Sequence, residues 1–268
     1  MSHKTCRYTS DLSVKQWKRL AWLLPKRQGS GRPIELDLHQ VVNAILYVVM
    51  TGCQWRNLPT DFPKAKSVYY HFRKWSLNGT WQRLNRAVGY LERRRVGRFA
   101  HPSAASGDSQ SVKTTESGGE RGYDGAKKVK GRKRHLMVDT VGNMLEVHVS
   151  AAGVQDRTGM IEVIQKLDPM QRLRLAKLWL DSSYQGEWEA ELYNRYRIVV
   201  EIVGSLVGQN GFQVQPRRWV VERAARKPLS KIFPMGGAWW GNDTCWRMTM
   251  DIARIIATPP RGIGKTTL

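Results

Sequence analysis

Apolar residues recur at helical spacing through the first hundred positions and at strand spacing after about residue 105, which predicts a helical segment followed by a sheet. Trp17, Leu20, Ala21 and Leu24 share one helical stripe that stops at Pro25, and Ser13 is placed to cap its start. A basic, glycine-rich connector, Lys26 to Pro33, separates this from a second apolar helix over about Leu36 to Met50, closed by Thr51 and Gly52. Beyond a turn-rich stretch, a third helix begins near Lys64. It puts Val68, Tyr69, Phe72 and Trp75 on one face and Lys66, Arg73 and Lys74 elsewhere. A fourth helix spans about Thr80 to Arg95. Trp17, Trp22, Tyr69 and Trp75 are expected in the core.

The pattern then changes. Val96 to Gly107 is rich in small residues and reads as a linker, putting a domain boundary near residue 100. GDSQSVK, which contains Asp108, reads as a short strand, and a glycine-rich basic segment runs from Gly118 to Gly131. Two alternating apolar runs split at Val141-Gly142-Asn143 predict a β-hairpin, with Asp139 in turn chemistry. A helix follows over Asp156 to Leu167 with Asp156 as its N-cap. Next come a strand, Leu175 to Leu180, ending at Asp181; a helix, Glu187 to Tyr196; and a strand, Arg197 to Val203. A last helix starting near Arg217 or Trp219 carries Glu222. The expected fold class is α/β: a mixed sheet flanked by helices, preceded by a small all-α domain.

Charge narrows the partner. Lys and Arg number 44 against 22 Asp and Glu, a net charge of +22, so a polyanion fits better than an acidic metabolite. Residues 1–100 hold 19 basic and 5 acidic residues and residues 101–268 hold 25 and 17. The first part is therefore the better phosphate-backbone binder, and the second keeps carboxylates for chemistry. Short helices, tight turns and a basic helix are what a helix-turn-helix module needs, so Arg73 and Lys74 are candidate DNA contacts. Cys6, Cys53 and Cys245 have neither disulfide nor zinc spacing, which fits a reducing cytoplasm. The longest apolar run, Val41 to Met50, is too short to cross a membrane.

Asp181 at a strand end stands where ligands bind in open α/β sheets. Asp108 lies on a strand able to pair beside it, and Glu222 on a helix able to reach the same edge. Three such carboxylates make a hard-oxygen site suited to Mg²⁺. Seventeen acidic residues lie beyond position 100, and each of the three taken singly fits a surface or capping role as well. Asp124, Asp139 and Asp156 are competitors.

Longer motifs point further. NAILYVVMTGCQWRNLPTDFP and SVYYHFRKW, then GDSQSVK, GYDGAKKVKGRKRHLMVDTVGNML, DSSYQG and RRWVVER, resemble in order the motifs of bacterial insertion-sequence transposases of the Asp-Asp-Glu (DDE) class, IS-five-like branch. The resemblance covers roughly residues 7 to 223. It implies a ribonuclease-H-like catalytic domain over residues 101–226, behind a helix-turn-helix-like DNA-binding domain over residues 1–100. Asp108, Asp181 and Glu222 are then the catalytic acids and ligands of Mg²⁺ or Mn²⁺, and Arg218 a phosphate contact. Lys127, Lys128, Lys130, Arg132, Lys133 and Arg134 would lie along DNA, with a solvated charged loop as the alternative. The implied partners are double-stranded DNA, as element ends and target, and further copies of the chain, in the bacterial cytoplasm at the nucleoid.

The resemblance stops after Arg223. Pro228 stands six residues past Glu222, where the family continues its helix, and residues 227–268 form an atypical tail for which a shifted reading frame or a deletion is the preferred explanation. Three readings stay open: a transposase that cleaves and joins DNA, a catalytically inactive DNA-binding remnant, and a metal-dependent nuclease that never joins strands.

Overall fold

In the computed structural model of the protein, residues 7–25, 36–114 and 120–203 are described. The connector Lys26 to Pro33, together with Arg218, Glu222 and the tail, lies outside them. Among the described residues, one compact unit ends at Val88 and another begins at Gly89. This division falls inside a helix and ahead of the boundary expected near residue 100.

The first unit is helical. Ser13 caps α1 (Val14–Leu20) in a capping box: its hydroxyl accepts from the Gln16 amide, and the Gln16 side chain accepts from the Ser13 amide at 2.7 Å. Helix α2 (Leu38–Thr51) ends at Gly52, whose φ of 71° is the left-handed conformation that closes a helix without strain in glycine. Asn43, which interrupts the apolar run of α2, is buried because its side-chain oxygen accepts from the Leu12 amide at 3.0 Å. Helix α3 (Ala65–Leu77) buries Val68, Phe72 and Trp75. The indole of Trp81, in α4 (Thr80–Arg95), meets that of Trp75 edge-on, with centroids 5.5 Å apart.

The core expectation holds for Trp75 and fails for Trp22, which is 67 % exposed. Trp22 lies in a 3₁₀ turn, Ala21–Leu23, that follows α1. The tighter winding breaks the 3.6-residue stripe, so Leu20 and Leu24 go inward and position 22 goes out.

The C-terminal half of α4 belongs to the second unit. The Arg93 guanidinium donates to the Phe99 carbonyl at 2.7 Å and to Asp139 Oδ2 at 2.8 Å, with both side chains buried. The expected linker is accordingly short: strand β1 begins at Ala104 and runs to Lys113. Asp139 does the turn chemistry expected of it, accepting from the Val141 and Asn143 amides at 2.9 Å each, and is also Arg93's buried counter-charge.

The sheet has six strands among the described residues. Strand β1 pairs antiparallel with β3 (Val129–Asp139) and parallel with β5 (Lys177–Leu180), which pairs parallel with β6 (Val199–Ile202). The far edge of β3 carries β2 (Gly122–Asp124) and β4 (Met144–Ala151). Helices α5 (Asp156–Lys166) and α7 (Trp188–Tyr196) share one apolar core with Met137, Leu178 and Leu180. A further short helix, α6 (Pro169–Arg174), follows α5. The fold is thus the expected mixed α/β sheet with a helical region ahead of it. Among the described residues no helix is long and apolar enough to cross a membrane.

Two glycines set the spacing under α5. A Cβ on Gly107 would lie 2.6 Å from the side-chain tips of Leu180 and Met160, so a larger residue before Asp108 would have to displace both. A Cβ on Gly159 would lie 2.1 Å from the ring of His135, which is fully buried. Burial depresses the His135 pKa to about 4. The unfolded chain, with an ordinary histidine near 6.5, therefore binds the proton first as pH falls. The stability contributed by neutral His135 is complete above pH 6.5 and is lost toward pH 4. The expected loss is about 3 kcal/mol across that window, read from urea unfolding at a series of pH values. Asp124, held at about 2, adds its own loss only below the ordinary carboxylate range.

Candidate functional site

Asp108 lies near the middle of β1, paired with Leu136 of β3. The parallel register runs Ala104 to Lys177, Ala105 to Leu178 and Ser106 to Trp179. This ladder ends at Ser106 and Trp179, two residues short of Asp108 on β1 and of Asp181, which follows the last residue of β5. Both acids therefore lie just beyond the paired stretch of the two strands. They are also anchored alike. The Ser109 amide donates to Asp108 Oδ1 at 2.8 Å, and the Ser183 amide to Asp181 Oδ1 at 3.0 Å. Asp181 caps the 3₁₀ turn Ser182–Tyr184, and the Ser183 hydroxyl donates to the same oxygen at 2.5 Å.

Tyr184 reports the charge that gathers here. Its hydroxyl is buried and its pKa is pushed well above 10, first by burial and then by the negative charges of Asp156, Asp108 and Asp181. Sequence reasoning missed Tyr184 and Ser183, although both stand in the DSSYQG motif just after Asp181.

A second polar chain lies on the opposite face of β3, toward α5. Lys133 Nζ is 2.9 Å from Asp156 Oδ1 and 3.5 Å from Asp124 Oδ2, and donates to the Val154 carbonyl at 2.9 Å. The Ser111 hydroxyl donates to Asp124 Oδ2. That bond comes first in holding the Asp124 carboxyl near 2, with the Lys127 amide and the charges of Lys133 and Lys127 adding to it. Two expectations change. Asp156 is not the N-cap of α5, a position taken by Gln155; it is the counter-charge of a buried lysine. Lys133 is not an exposed cation ready for DNA; its side chain is 8 % exposed and neutralised by two carboxylates.

The other cations of that run are placed differently. Lys127, Lys128 and Lys130 are exposed, and Arg132 and Arg134 are half-buried. Lys127 Nζ folds back to the Ser109 carbonyl at 3.1 Å. Lys127 and Lys128 lie in the exposed turn between β2 and β3, and Lys130, Arg132 and Arg134 on β3 itself. In the first unit Arg73 and Lys74 are exposed on α3, away from its buried face, with Lys74 5.8 Å over the ring of Tyr70.

Among the described residues, no three His, Cys, Asp or Glu side chains form a group able to hold a metal ion. Asp108 and Asp181 supply a pair of hard oxygen donors, which suits a cation such as Mg²⁺. The third expected acid, Glu222, and Arg218 lie outside the described residues.

Comparison with known proteins gives two family matches. Residues 12–85 match the family described as a putative transposase of the IS4/5 family, and residues 101–228 match the transposase DDE domain. The chain is also similar to the insertion element IS402 uncharacterized 16.2 kDa protein of Burkholderia cepacia, at 27 % identity over 100 residues. That stretch is 37 % of this chain and 67 % of the relative.

Proposed function

Because the chain belongs to the DDE transposases of insertion sequences, we propose that it binds the terminal repeats of its element and catalyses metal-dependent cleavage and transfer of DNA strands. The observation that supports this reading is the parallel pairing of β1 with β5, which ends two residues before Asp108 and Asp181; continued that far, it would bring the two acids together. Asp108 and Asp181, joined by Glu222, are the residues that would hold Mg²⁺ or Mn²⁺. The chemistry a bound divalent cation supplies is the activation of a water or sugar hydroxyl and neutralisation of charge on the leaving oxygen.

The chain's own residues do the rest. The Ser109 and Ser183 amides fix the two carboxylates on the sheet. Exposed Arg73 and Lys74 of α3 meet the phosphates of the element's ends, and Arg218 takes a backbone phosphate at the reacting site. The reaction order implied by the family is attack of water on the phosphodiester at the element's end, followed by attack of the released 3′-hydroxyl on target DNA. On this reading residues 1–100 hold the ends, residues 101–226 do the chemistry, and a further copy of the chain holds the second end. The site of action is the cytoplasm, at the nucleoid.

A second reading rests on one sequence observation: Pro228 follows Glu222 by six residues, where a proline would interrupt the helix expected to carry the glutamate. The protein would then bind ends without cutting them. One assay separates the two, using purified full-length protein, labelled DNA carrying the element's ends, and Mg²⁺ or Mn²⁺. The expected result is nicking at the ends followed by joined products. Binding without nicking would favour the inactive remnant, and nicking without joining a plain nuclease.

A further inference from the structure

We propose that Lys130, Arg132 and Arg134 form a phosphate track that leads one strand of DNA along β3 to Asp108. Lys133, in the same basic run, takes no part in it. The proposal rests on the reading of the chain as a DNA transposase and says which surface of the catalytic unit carries the strand.

The β1–β3 ladder runs without a shift from Ala105–Asp139 to Lys113–Gly131. Paired residues of a ladder point to one face and successive residues to opposite faces. Asp108 pairs with Leu136, so Leu136, Arg134, Arg132 and Lys130 share the face of Asp108. Lys133, His135 and Met137 take the other face, where Lys133 meets Asp156 and His135 abuts Gly159 of α5. A run that reads as six equivalent cations in the sequence is sorted by the ladder into two populations.

Burial along the shared face falls in one direction. Val138 and Leu136 are fully buried, Arg134 and Arg132 half-buried, and Lys130 exposed. Asp108 therefore sits where the covered part of the face ends, and the cations continue from it over the open part. Their directly paired neighbours are uncharged: Gln110 and Val149 for Arg134, Val112 and Ala151 for Arg132, and Tyr123 for Lys130.

The spacing suits a phosphate chain. Same-face residues on a strand recur every 6.7 Å or so, of the same order as the through-space distance between successive phosphates of one strand. Arg134 lies diagonally about 7–8 Å from Asp108, within reach of a phosphate next to the one that reacts. Arginine also offers a planar fork of donors that matches a phosphate edge.

The test is the salt dependence of binding to a fluorescein-labelled duplex of arbitrary sequence, followed by anisotropy with the full-length protein. Each phosphate contact contributes a slope of about 0.9 in log K against log salt. The triple variant Lys130→Gln, Arg132→Gln, Arg134→Gln is expected to flatten the slope by about 2.7. An equal-charge control, Lys166→Gln, Arg172→Gln, Arg174→Gln, removes three cations from the end of α5 and from α6, away from the track. It is expected to change the slope by less than one contact. Equal flattening in both variants, or none in the first, would overturn the track. Should the triple variant fail to unfold at the wild-type midpoint, Arg134→Gln alone is read instead, with an expected flattening of about 0.9. The slopes are measured without cleavage, so a failed track and a failed transposase reading give different results.

Discussion

Asp181→Asn is expected to abolish metal-dependent strand cleavage and leave DNA binding unchanged. The substitution is nearly isosteric. Its side-chain oxygen can still accept from the Ser183 amide, so the 3₁₀ turn Ser182–Tyr184 keeps its cap. What goes is the negative charge that a hard cation requires. A single preorganised charge-stabilising group is worth about 10² to 10³ in rate, and loss of a metal ligand is expected to exceed about 10³. Nicking of labelled ends in Mg²⁺ or Mn²⁺ measures it, beside a binding assay on the same DNA. Nicking at more than a few per cent of the wild-type rate would remove Asp181 from the chemistry.

The second large effect is on folding. Lys133→Met is expected to destabilise the protein by about 3 kcal/mol, because it leaves the buried carboxylate of Asp124 and the half-buried one of Asp156 without their counter-charge. Asp156, 2.9 Å from Lys133 Nζ, and Asp124, at 3.5 Å, would be left facing each other across an apolar side chain. Urea unfolding measures the loss. The slope of DNA binding against salt is expected to stay unchanged, since a buried and paired cation releases no counterions from DNA. A stably folded Lys133→Met protein with a flattened salt slope would put Lys133 on the DNA after all.

Lys133 also shows what a sequence can and cannot disclose. The strand itself was legible, because HLMV and its hairpin partner alternate in the right period. Which cations of GAKKVKGRKRH point where was not, because the answer depends on the β1–β3 register and on Asp124 and Asp156, acids from elsewhere in the chain. Asp108 and Asp181 were singled out from strand ends and from motif, whereas the parallel pairing of their two strands was allowed but not specified by the alternating pattern. Arg93 was hidden among three consecutive arginines, of which only the buried ion pair with Asp139 singles it out. Trp22 misled through its apolar surface, because the switch from α to 3₁₀ winding after Leu20 is a backbone event with no strong residue signal. The Asp156 N-cap fits a local rule that a long-range ion pair overrode.

The central claim is that Asp108 and Asp181 jointly hold a divalent cation, and titration of Mn²⁺ alone into the full-length protein tests it most directly. The account predicts that the wild-type protein binds Mn²⁺, and that Asp108→Asn and Asp181→Asn each lose that binding while unfolding at the wild-type midpoint. Mn²⁺ binding that persists unchanged in both variants would contradict it.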